Sequence, residues 1–83
     1  MSYKIAFKKS VAHDLKKIRK DRAETILRKI EKELSEKADT LPLLTGKFAS
    51  LRKFRVGDYR VIYSIIGDTI LVLRICHRRE AYR

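Results

Sequence analysis

Eighty-three residues suffice for one small domain with a modest core, spanning 1–83, and exclude a multidomain architecture. A formal charge of +11 with 37% charged residues points to a polyanionic partner, nucleic acid before an anionic membrane. No window has the apolar length of a transmembrane helix, Met1-Ser2-Tyr3-Lys4 opens no signal-peptide core, and the single cysteine, Cys76, excludes an internal disulfide, so a cytoplasmic chain is expected.

Ser2 to Phe7 alternates, with Tyr3, Ile5 and Phe7 on one side and Lys4 on the other, which predicts a short first strand. Ser10 is placed to cap a helix whose apolar positions Val11, Leu15 and Ile18 share a side, with Lys16, Lys17, Arg19 and Lys20 over the remainder. His13 lies in that helix without a second histidine or cysteine at ligand spacing, so a solvated side chain is expected. Asp21 and Glu24 have the spacing of a capping box, and Ala23, Ile26, Leu27, Ile30 and Leu34 then recur at helical spacing toward Ala38. The two helices form an antiparallel hairpin that covers one face of a sheet. Glu31, Glu33 and Glu36, alternating with Lys29, Lys32 and Lys37, mark its solvated side.

Asp39 to Phe48 carries Pro42 and Gly46 and reads as the connection from helix to sheet. Two strands then meet at Gly57-Asp58, which predicts the pairs Val56 with Tyr59, Arg55 with Arg60, Phe54 with Val61 and Lys53 with Ile62. A third strand follows Gly67-Asp68, and in the same register it sets Arg60 beside Ile75. Cys76, in this apolar strand, is expected as a small core residue. The predicted fold is a single α+β domain: an N-terminal strand, a helical hairpin and a three-strand antiparallel meander in one twisted antiparallel sheet. The chain ends on a basic tail, His77-Arg78-Arg79-Glu80-Ala81-Tyr82-Arg83.

The period of two sorts the sheet residues by face. Val56, Tyr59, Phe54, Val61 and Tyr63 share an apolar side; Lys53, Arg55 and Arg60 share the other. Like charges opposite one another cost up to about 1 kcal/mol per pair, so Arg55 facing Arg60 needs either free splaying into water or an anionic ligand. The nearby Lys53, with Arg78 and Arg79 following the last strand, favours a phosphate backbone. Ile62, Leu71, Leu73 and Ile75 also fall on this side, and no helix remains to cover them. A second polypeptide or a second copy of the chain would satisfy them.

The run Leu51-Arg52-Lys53-Phe54-Arg55-Val56-Gly57-Asp58-Tyr59-Arg60-Val61-Ile62-Tyr63, followed by Ile75, His77, Arg78 and Tyr82, resembles the RelE/ParE superfamily of toxins from type II toxin–antitoxin systems. The resemblance covers the whole chain and implies the same element order. It implies two activities: RelE-like ribosome-dependent endoribonucleases that cleave messenger RNA, and ParE-like inhibitors of DNA gyrase. On the first, Lys53, Arg60, Arg79 and Tyr82 are the implied catalytic residues, with Arg78 an alternative to Arg79. Arg52, Arg55, Arg74 and Arg78 are the implied RNA-binding set. The implied partners are a small acidic RelB-like antitoxin, the ribosome and messenger RNA, with no membrane.

Cleavage of RNA by its own 2′-hydroxyl needs a proton removed, a phosphorane charge neutralised and the leaving 5′-oxygen protonated. Lys53 is the candidate base, because the positive charge of Arg55 and Arg60 disfavours its ammonium form. The arginines are charge clamps rather than proton donors. His77 is expected to end its strand or touch the turn at Asp58. Tyr82 either packs on the sheet or stacks on a base. No glycine-rich phosphate loop or zinc spacing occurs, and Asp58 and Asp68 sit in turns for backbone reasons, so neither cofactor nor metal is expected. A third reading, from charge alone, is a small nucleic-acid-binding protein without toxicity.

Overall fold

A computed structural model describes residues 3–40 and 51–77. The connection expected over Asp39 to Phe48 lies largely outside these residues, as do Arg78, Arg79 and Tyr82. The chain runs β1 (Lys4–Phe7), α1 (Lys9–Lys16), α2 (Lys20–Lys29), β2 (Arg52–Val56), β3 (Tyr59–Ile66) and β4 (Thr69–His77). From α2 the helical path continues through a π-helical stretch, Ile30–Leu34, a turn of α-helix, Ser35–Lys37, and a 3-10 turn, Ala38–Thr40.

Both hairpins turn on glycine. Gly57 and Gly67 have φ of 57° and 61°, which an L side chain adopts only with strain, and they stand first in two-residue connections, where a positive φ matches the strand twist. The first hairpin has the predicted register, Arg55 opposite Arg60 and Lys53 opposite Ile62. The second departs from it. Ser64 to Ile66 pair with Leu71 to Thr69 as the turn dictates, but beyond Tyr63 the pairing slips, leaving Leu73 as an extra residue on β4. Arg60 therefore faces Cys76 rather than Ile75, and Ile75 faces Val61. The slip moves Ile75 from the cationic face into the core, where it is 2% exposed.

Strand order is β1-β4-β3-β2, with β1 parallel to β4, so the sheet is mixed rather than wholly antiparallel. The helices lie on one face. Val11, Ile26, Ile30, Leu34 and Ala38 from the helical layer close on Phe54, Val56, Val61, Tyr63, Ile70, Val72 and Ile75 from the sheet. Tyr63 is fully buried, and its hydroxyl donates to the Ala38 carbonyl at 2.6 Å, satisfying an acceptor that the end of the helical path leaves open. Burial pushes the Tyr63 phenol up to about 12.

The expected side-chain caps do not form. Helix α1 begins at Lys9 behind Lys8, and Ser10, inside the helix, donates its hydroxyl to the Leu73 carbonyl at 2.6 Å. Helix α2 begins behind Arg19 without a side-chain cap, and Asp21 lies in its first turn, where its charge suits the helix dipole. On the solvated side Glu33 bridges Lys29 and Lys37 at 3.3 and 3.1 Å, and those two hydrogen bonds hold its carboxyl below the usual range.

Candidate nucleic-acid interface

The face opposite the helices is built in cross-strand rows. One row is Lys53, Ile62 and Arg74; the next is Arg55, Arg60 and Cys76. Directly opposed residues on neighbouring strands point the same way, so β2 and β3 bring Lys53, Arg55 and Arg60 to one patch. Arg55 is exposed and Lys53 half-buried, whereas the Nε and Nη1 atoms of Arg60 are shielded from solvent. Ile62, 8% exposed, lies between the rows' cations as an apolar floor. Cys76 sits half-buried opposite Arg60, not in the core as its apolar neighbours suggested, because the bulge turned it to this side.

Two of the cations expected here are used elsewhere. Arg52 has the parity of Phe54, pairs with Tyr63 on the helical side, and donates Nη1 to the Asp39 carbonyl at 3.3 Å. Arg74 belongs to the first row by register, yet its guanidinium turns over the sheet edge to Asp14, Nε to Oδ2 at 2.8 Å and Nη2 to Oδ1 at 3.0 Å. The reason lies in the length of β1. Its pairing with β4 stops at Phe7 and Val72, which leaves the outer backbone edge of β4 without a strand from Leu73 onward. Helix α1 covers that edge with side chains, Ser10 on the Leu73 carbonyl and the Asp14 carboxylate accepting from the Ile75 N–H at 2.9 Å.

Asp14 is 7% exposed and accepts three hydrogen bonds. Burial alone would push its carboxyl up. The hydrogen bonds from Arg74 and Ile75, with the charges of Arg74 and Lys17, outweigh that and hold it below the usual carboxylate range. Sequence reasoning passed over Asp14 although a signal was present: it stands three residues after Val11 and four before Ile18, on the apolar stripe of α1.

His77 ends β4 and meets the Tyr59 ring edge-on, centroids 5.4 Å apart and planes at 85°. His13 is exposed. Among the described residues no cluster of three or more histidine, cysteine, aspartate or glutamate side chains could hold a metal ion, and no helix is long and apolar enough to cross a membrane.

Comparison with known proteins follows the same lines. The family model described as the ParE toxin of type II toxin–antitoxin systems matches residues 5–82. The chain belongs to the ParE toxin family. Among solved structures, the RelBE2 toxin–antitoxin complex of Mycobacterium tuberculosis contains a chain 25% identical to this toxin, covering 94% of it and 100% of that chain, with a TM-score of 0.87. A chain of the RelB–RelE antitoxin–toxin complex of Methanococcus jannaschii is 28% identical, covering 92% of the toxin and 93% of that chain, TM-score 0.69. A chain of the ParDE system of Pseudomonas aeruginosa shares the fold at 17% identity, covering 92% and 96%, TM-score 0.66. No curated protein sequence matches significantly. The ParE-family toxin thus has the α+β architecture of RelE and ParE toxins, with its cationic patch on the sheet face that the helices leave uncovered.

Proposed function

We propose that this toxin is a RelE-like endoribonuclease that cleaves messenger RNA on the ribosome and is held inactive by a small acidic RelB-like antitoxin. The observation that carries the reading is the joining of Lys53, Arg55 and Arg60 on one sheet face with Ile62 as an apolar floor. Three cations converging from two strands over an apolar surface form a charge clamp for a phosphodiester. In this scheme the amine of Lys53 takes the 2′-hydroxyl proton and the resulting alkoxide attacks the adjacent phosphorus. Arg60 and Arg55 balance the phosphorane charge, and departure of the 5′-oxygen with a returned proton leaves a 2′,3′-cyclic phosphate. Arg78 or Arg79 and Tyr82, which follow β4 in the chain, complete the site as clamp and base-stacking residues. Arg74, engaged by Asp14, serves the edge of the sheet. With so little acid–base machinery, the ribosome would supply the alignment of the reacting groups.

The Arg60→Ala/Arg79→Ala variant tests this. It is expected to fold, to lose growth arrest and to leave ribosome-bound messenger RNA intact; full cleavage by the folded variant would remove these residues from the mechanism. A second reading, inhibition of DNA gyrase without nuclease chemistry, is favoured by the family model itself. Induction in cells separates the two: rapid arrest of translation supports the nuclease, and DNA damage with filamentation supports the gyrase inhibitor.

A further inference from the structure

A second site lies on the helical side of the sheet, at the end where β3 begins and β4 ends. A cleft of about 170 Å³ opens there between the C-terminal end of α1 and the sheet, lined by Asp14, Lys17, Ile18, Tyr59, Arg74 and His77 among others. Its chemistry is uneven. Asp14 stands against two cations, Arg74 and Lys17, so the lining carries a net positive charge. The two rings stand edge-to-face, perpendicular with centroids 5.4 Å apart, so that a flat aromatic group stacked on one turns its own edge toward the other.

The surroundings are strongly basic. Lys16, Lys17, Arg19, Lys20 and Arg22 are all exposed where α1 passes into α2. The one acid in that stretch, Asp21, is engaged by Arg19 at 3.4 Å. A planar apolar corner beside concentrated positive charge is the chemistry that holds a single-stranded nucleotide, base against aromatic and phosphate against cation. The volume suits one base and is too small for an element of folded protein.

We propose that this cleft is a subsite for one RNA nucleotide, the base in the Tyr59–His77 corner and the phosphate on Lys17. It rests on the RNA-directed reading above. The register supplies the connection: the Tyr59–His77 pair is one step along the strands from Arg60–Cys76 and faces the opposite way. An RNA strand leaving the Arg55–Arg60 row and rounding this end of the sheet reaches the cleft. The subsite would then read a base outside the cleaved step and contribute sequence preference that the phosphate clamp cannot.

The full-length toxin, free of antitoxin and without ribosomes, is titrated with adenosine 5′-monophosphate and separately with inorganic phosphate, followed by NMR of the aromatic side chains. The nucleotide is expected to shift the Tyr59 and His77 ring signals, and Lys17→Gln, at an exposed position, to weaken its binding about tenfold. His77→Ala is expected to weaken nucleotide binding and leave phosphate binding unchanged. The proposal is overturned if the nucleotide perturbs the sheet face alone, if phosphate reproduces the same ring shifts, or if Lys17→Gln binds as the parent does. No step of this measurement needs catalysis. Nucleotide binding in the cleft together with failure of messenger-RNA cleavage would refute the proposed function, while cleavage without cleft binding would refute only the subsite.

Discussion

The Arg74 guanidinium meets the Asp14 carboxylate in a two-pronged pair, at 2.8 and 3.0 Å, across 60 residues of sequence. With Asp14 buried and also accepting from Ile75, removing its charge leaves a buried N–H and a guanidinium poorly matched. Asp14→Asn is expected to cost about 1–3 kcal/mol, a fall of several degrees in Tm for a domain of this size, measured by thermal unfolding. The pH dependence has a fixed sign. Because the folded carboxyl titrates below its unfolded value, its contribution is complete above about pH 4 and is lost as pH falls through the folded value. Asp14→Asn should therefore flatten the acid limb of the stability profile.

Ser10 and Asp14 serve one edge from one helix, on the Leu73 carbonyl and the Ile75 N–H. Ser10→Ala is expected to cost about 1 kcal/mol by itself. In a double-mutant cycle with Asp14→Asn the losses should sum to less than additive, because either substitution loosens the same strand. Strict additivity in urea unfolding would show that the two bonds act separately.

Tyr63 governs the alkaline limb. Its phenol, raised to about 12, stays protonated in the fold while the unfolded chain ionises near 10. Stability is retained below about pH 10 and falls between about 10 and 12, by roughly 2–3 kcal/mol for this group. Tyr63→Phe should remove that component and, by orphaning the Ala38 carbonyl, lower stability at neutral pH by about 1–3 kcal/mol. Stability curves against pH for parent and variant check both parts.

Arg55 opposite Arg60 sets function against stability. Arg55→Thr removes a like-charge pair and introduces a strand former, so the domain should gain a few tenths to about 1 kcal/mol. RNA binding should weaken at the same time, with the slope of log affinity against log salt falling by about one phosphate contact. A variant that becomes more stable and binds RNA undiminished would place Arg55 outside the interface.

The first hairpin was legible because Gly57-Asp58 fixes both turn and register, and a period of two then assigns Lys53, Arg55 and Arg60 to one face. The second was legible only as far as Tyr63. The bulge at Leu73 has no local signature, and the side chains of α1 that bond this stretch lie far away in sequence, so the sides taken by Ile75 and Cys76 were read in reverse. The partner of Arg74 was hidden in the same way, being a carboxylate 60 residues earlier. Ser10 looked like a cap because hydroxyls at helix starts commonly are, but a strand carbonyl took it instead.

The parallel pairing of β1 with β4 joins the first and the last of the described strands. During synthesis β1 therefore has no neighbour until β4 has been made, and α1 has no edge to cover until the same moment. A nascent chain of this kind cannot close its fold piece by piece, and the outer edge of the sheet is completed only once Thr69–His77 has been made.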